Sequence, residues 1–188
     1  MKARIISILI ALLLSACATN NPEITPTMTP ESSGRIPFPF ITDVNRYSEV
    51  LSSADANSPL IAHFPKEIPP EASNIRFAYQ PRIMQGAMFL ELLMTLPENQ
   101  ITELQDEYGN LEQYHYSEEI GLTDIPEPIL YLISDKSDEN NGFDPNFSIY
   151  LISAEPAGTE DFIWNHGTMY GVGINKTTSQ IIYWLQYW

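Results

Sequence analysis

The apolar positions of this chain change period along its length. Val44, Tyr47, Leu51 and Ala54 recur at helical spacing, and Thr42 or Asp43 stands where an N-cap is needed. A helix is therefore predicted over residues 42–54. Pro65, Pro69 and Pro70 then make the stretch after His63 and Phe64 stiff and non-helical. Ile75, Phe77 and Tyr79 alternate with Arg76, Ala78 and Gln80, which predicts a half-buried strand ending at Pro81. After Gly86 comes an apolar run over residues 87–96 whose lone charge is Glu91. It suits a central strand, although its Met and Leu residues would also suit a helix.

Pro97 opens a second helix: Glu98 and Glu103 favour the positive N-terminal end, and Ile101, Leu104 and Tyr108 form one stripe. Gly109-Asn110 is its stop signal. The polar stretch to Pro128 reads as irregular. Strands are predicted over residues 129–134 and 147–154, separated by an acidic turn. In the second, Phe147, Ile149 and Leu151 share a side. Residues 168–174 and 180–188 read as a closing hairpin across Asn175, Lys176, Thr177, Thr178 and Ser179. In the last strand Tyr183, Leu185 and Tyr187 face one way, and Trp184, Gln186 and Trp188 the other.

Short turns between strands favour antiparallel pairing, and two helices of this length cover one face. The expected fold is a single α+β domain over residues 36–188. It is mainly an antiparallel sheet of about five or six strands with two helices on one face. An all-β sandwich is the alternative.

The N-terminus has a different pattern. Lys2 and Arg4 precede an apolar run of ten residues, 5–14, interrupted only by Ser7. A bilayer-spanning helix needs about 20, whereas a secretory h-region takes about 7–15. The run ends in Leu14-Ser15-Ala16-Cys17. This segment resembles the lipobox of bacterial lipoproteins. The resemblance implies a diacylglyceryl (palmitate-type) modification of the Cys17 thiol and cleavage after Ala16. It thus marks residues 1–16 as a signal peptide and residues 17–35 as a lipidated tether. With Ala18 after the lipidated cysteine, the lipoprotein sorting rule implies the outer membrane in a Gram-negative cell. In a cell with one membrane it implies the outer face of that membrane. Asn20, Pro22, Thr25, Pro26, Thr27, Thr29, Pro30, Ser32 and Ser33 cannot bury enough apolar surface to fold. Ile36, Phe38 and Phe40 are placed to dock the end of the tether.

Composition narrows the function further. The chain has 24 acidic and 9 basic residues, a formal charge of −15, so it would repel nucleic acid and anionic lipid headgroups. Cys17 is the only cysteine, which excludes a disulfide, a Cys-ligated metal and a cysteine nucleophile in the domain. His63, His115 and His166 form no zinc-binding spacing. No nucleophile elbow or phosphate loop occurs. The acidic stretch with Asp135, Asp138, Glu139 and Asp144 departs from the EF-hand pattern, with Ser148 at its twelfth position. No cofactor is expected, and carboxylate pairs such as Glu118-Glu119 and Glu160-Asp161 carry no motif.

The candidate ligand surface is aromatic: Trp164, His166, Trp184 and Trp188. The expected function is non-enzymatic binding of an envelope protein or wall glycan by a membrane-anchored domain. A wall glycan or peptide hydrolase and a structural spacer are the alternatives. Replacing Cys17→Ser is expected to abolish incorporation of labelled palmitate and release the protein from membranes. Continued labelling of that variant would refute the anchor.

Overall fold

The computed structural model describes residues 40–53, 58–82, 86–114, 125–134 and 143–188. Its strands are β1 (Ser73–Gln80), β2 (Met88–Thr95), β3 (Glu112–Gln113), β4 (Ser148–Pro156), β5 (Gly167–Asn175) and β6 (Gln180–Tyr187). They form one open sheet in the order β1-β2-β6-β5-β4-β3, and every pairing is antiparallel. The helices are α1 (Tyr47–Ser53), entered through a 3-10 turn at Val44–Arg46, and α2 (Glu98–Tyr108). The domain is α+β, as its sequence pattern predicts, and not a sandwich. The described residues from Phe40 to Trp188 belong to one folded unit.

Local chemistry sets the boundaries. The Asp43 carboxylate accepts the Asn45 N–H at 3.0 Å and caps the 3-10 turn. Pro97 precedes α2, and the Gly109 N–H closes the helix on the Gln105 carbonyl at 2.7 Å. At the β5–β6 turn the buried Asn175 side chain accepts the Thr178 N–H at 3.2 Å. This lets four residues reverse the chain between Asn175 and Gln180. The two-residue β3 was not anticipated, because Glu112 and Gln113 are exposed and carry no apolar signal.

Both faces of the sheet are buried. On the first, Leu90, Leu92 and Met94 of β2, Val172 of β5 and Ile181 and Leu185 of β6 pack with Tyr47 and Val50 of α1 and Ile101 of α2. On the second, Leu93, Ile149, Met169, Ile182 and Trp184 pack against Leu130, Leu132 and Ile133. Strand β2 meets core on both sides, which is why it reads as a continuous apolar run rather than an alternating one. Its helical alternative is settled by the ladders it makes to β1 and β6.

The cover of the second face corrects one expectation. Residues 129–134 do not form a strand. They follow a turn in which the Ile133 N–H bonds the Leu130 carbonyl at 3.1 Å, with one bridge between Ser134 and Phe143. The apolar residues are buried as expected, but as a strap laid over the sheet. The Tyr131 and Leu132 N–H groups go to the Glu91 carboxylate instead of to a neighbouring strand.

Phe40 packs on the same face, 5.0 Å from the Tyr131 ring centroid and 6.2 Å from that of Phe89. Ile41 exchanges two backbone hydrogen bonds with Tyr79 at 2.8 and 2.9 Å, so the incoming chain closes part of the β1 edge. Ile36 and Phe38 lie outside the described residues. No helix among the described residues is long and apolar enough to cross a membrane.

Gly171 of β5 faces Trp184 of β6 directly. A Cβ there would collide with the Tyr150 carbonyl oxygen and lie 3.1 Å from Trp184 Cζ2. The missing side chain is what lets the indole lie over the sheet. Gly171→Ala is expected to destabilise the domain by at least about 2 kcal/mol, read as a lowered urea midpoint. An unchanged midpoint would show that the indole has room to move.

Candidate functional site

Three of the four aromatic-surface candidates meet at one end of the sheet. Trp188 continues β6 and exchanges two backbone bonds with Gly167, both at 3.2 Å. Its indole stacks on Trp164 with centroids 6.0 Å apart and planes at 20°, and its Nε1–H donates to the Trp164 carbonyl at 2.9 Å. Gly167 makes room for this pair: a Cβ there would lie 3.1 Å from Trp188 and 3.2 Å from Trp164. His166 adjoins them, exposed, and its carbonyl accepts the Ala157 N–H at 2.7 Å.

The β4–β5 connection continues the hairpin beyond the sheet. Ala157 bonds His166, Gly158 bonds Ile163, and Thr159 and Phe162 exchange two bonds of 3.1 Å across the tip. A side chain at Gly158 would run into the carbonyl oxygens of Phe162 and Ile163. The tip is thus braced by backbone bonds, and it presents Phe162 at 62 % exposure. Glu160 and Asp161, one of the carboxylate pairs noted in the sequence, flank that ring in open solvent.

Trp184 does not belong to this surface. It is 0 % exposed, inside the core of the second face, and its indole Nε1–H has no hydrogen-bond partner. Alternation placed it on the same side as Trp188. The strap, which sequence periodicity cannot place, is what buries it. Cys17, His115, Glu118, Glu119, Asp135, Asp138 and Glu139 lie outside the described residues. Among the described residues no three His, Cys, Asp or Glu side chains are grouped to hold a metal.

Three polar residues that sequence patterning does not single out as a group anchor the strap. Glu91, 1 % exposed, accepts the Tyr131 N–H at 2.9 Å on Oε1 and the Leu132 N–H at 2.8 Å on Oε2. Arg76 Nη1 donates to the Leu132 carbonyl at 2.9 Å, and Gln186 Oε1 accepts the Ile129 N–H at 3.0 Å. The signal for Glu91 was its position as the one charge in an apolar strand. A buried carboxylate needs fixed donors, and here two backbone N–H groups outside the ladders supply them.

Burial raises the Glu91 carboxyl to about 7, against the opposing pull of the Leu132 and Tyr131 N–H groups and the Arg76 charge. On the opposite face His63 stacks on Tyr170 at 5.3 Å, and its Nε2 bonds the Trp184 carbonyl at 3.1 Å. Its Nδ1 is buried without a partner. Burial pushes this imidazole down to about 4, with the Trp184 and Gly171 carbonyl groups opposing the shift. His63 is therefore a neutral structural histidine held by the backbone, in keeping with the loop position the sequence gives it.

These two groups give opposite pH dependences. The folded state binds the Glu91 proton more tightly than the unfolded chain does, so this group favours folding most below about 4.5 and less as pH rises through about 7. His63 favours folding above about 6.5, and that contribution is lost as pH falls towards about 4. Between pH 4.5 and 6.5 the two slopes oppose each other. Relative to the unmodified protein, Glu91→Gln is expected to make stability rise with pH over this interval. His63→Gln is expected to make it fall. Each change should amount to at most about 1.4 kcal/mol per pH unit, read from urea midpoints. Parallel profiles for all three proteins would refute the assignment. No protein-family model, curated protein or solved structure matches this chain.

Proposed function

We propose that this chain is a lipid-anchored protein of the bacterial envelope, and that its domain binds a protein or wall component without catalysing a reaction. The reading of the anchor rests on Leu14-Ser15-Ala16-Cys17 at the end of a ten-residue apolar run. The reading of binding rests on one observation: a backbone-braced hairpin presents Phe162 at 62 % exposure beside the stacked Trp164–Trp188 pair. A large aromatic side chain held in solvent on a fixed turn loses little entropy when it is buried by a partner, and such residues carry much of the energy of interfaces.

The described carboxylates give less support to hydrolysis. Glu160 and Asp161 are exposed to solvent at the hairpin tip. Glu91 is sealed in the core with both oxygens on backbone N–H groups. A passive spacer has no need of a braced aromatic tip.

Cross-linking in intact cells with full-length bait, followed by recovery of bound protein and wall fragments, tests the reading. Phe162→Ser leaves the core untouched and is expected to reduce recovery of the bound component at least about tenfold. Cys17→Ser is expected to lose the component when it is itself held in the envelope. Equal recovery with Phe162→Ser would overturn the assignment of the aromatic end.

A further inference from the structure

The aromatic hairpin tip also has a charge pattern. Thr159 and Phe162 bridge each other and exchange two backbone bonds, so Glu160 and Asp161 are the two residues of the turn itself. Every residue from 155 to 162 is exposed. No lysine or arginine occurs between Lys136 and Lys176. Among the described residues neither Glu160 nor Asp161 is in an ion pair. Phe162, 62 % exposed, thus stands next to two carboxylates that have no cation of their own. The backbone bonds of the tip hold all three in one place.

This combination restricts what can cover the ring. Burying Phe162 takes water from the neighbouring carboxylates, and that is costly unless the partner supplies opposite charge. Anionic lipids, anionic wall polymers and acidic proteins are repelled, both by the tip and by a chain of formal charge −15. A neutral glycan offers the ring an apolar face but gives the carboxylates no countercharge. A basic protein surface answers both demands. Arginine fits them best, because a guanidinium stacks on an aromatic face and its planar fork matches a carboxylate.

We propose that the tip docks onto a protein surface where arginine side chains surround an apolar socket. Phe162 enters the socket, and Glu160 and Asp161 meet the arginines at its rim. This rests on the reading of the aromatic end as a binding surface, and adds the chemical class of the partner.

Fluorescence anisotropy with the full chain in nonionic detergent tests the partner class. The probes are labelled hexapeptides of alternating arginine-leucine, lysine-leucine and glutamine-leucine, and labelled N-acetylglucosamine hexamer. The arginine peptide is expected to bind saturably below about 1 mM, and at least about tenfold tighter than the glutamine peptide. The lysine peptide should fall between them. Glu160→Gln with Asp161→Asn is expected to weaken the arginine peptide at least about threefold and leave the glutamine peptide unchanged. Glu67→Gln with Glu71→Gln removes the same charge from exposed residues before β1 and should have no such effect. No saturable binding of the arginine peptide, equal binding of the arginine and glutamine peptides, equal losses from the two double variants, or tighter binding of the glycan would each overturn the proposal. The intact-cell cross-linking assay separates this inference from the reading beneath it. Recovery lost with Phe162→Ser but kept with Glu160→Gln and Asp161→Asn would overturn the basic partner and leave the aromatic contact standing. Recovery kept with Phe162→Ser would remove both.

Discussion

The second half of this fold depends on a carboxylate. Glu91 is buried at the centre of β2, and it holds two backbone N–H groups of the strap, one on each oxygen. Those bonds offset part of the cost of burying the carboxyl, and they satisfy two backbone donors that no strand pairs. Arg76 and Gln186 add one bond each at the neighbouring strap residues. With the strap seated, Leu130, Leu132 and Ile133 close the face over Trp184 and Ile182. Without it, an apolar sheet face would stand in water.

The two faces are therefore covered by different means. Helices α1 and α2 satisfy their own backbone and need only an apolar stripe to dock. An irregular strap has no such internal pairing, so the sheet must supply polar anchors from within its core. This explains why the second face carries the buried Glu91, with Arg76 bonded to the strap beside it. On the first face the half-buried, neutral His63 bonds a backbone carbonyl of the same β6 residue, Trp184, that opposes Glu91 across the β2–β6 ladder.

Glycine and tryptophan are matched along β5 and β6. Gly171 admits Trp184 to the core, and Gly167 admits the Trp164–Trp188 stack at the end. The aromatic C-terminus therefore has two roles set by position alone. Trp184 is structural. Trp188 braces a hairpin whose tip exposes the Phe162 ring.

Local patterning in the sequence determined most of the elements. Cap residues, prolines and periodicity located α1, α2, β1, β2 and the β5–β6 hairpin, because these signals act over a few residues. The charge in β2 and the aromatic alternation of β6 were equally visible. Only the tertiary structure decided what those residues meet. The run at 129–134 is apolar whether it becomes a strand or a strap, and the choice falls to Glu91, about forty positions away, which captures its N–H groups. By the same route Trp184 is buried while Trp188 reaches the edge, although alternation gives both the same face. Arg76 likewise holds the Leu132 carbonyl across a long stretch of chain. Such long-range pairings leave no periodic trace in the sequence, since they are set by which surfaces remain uncovered once the sheet has formed.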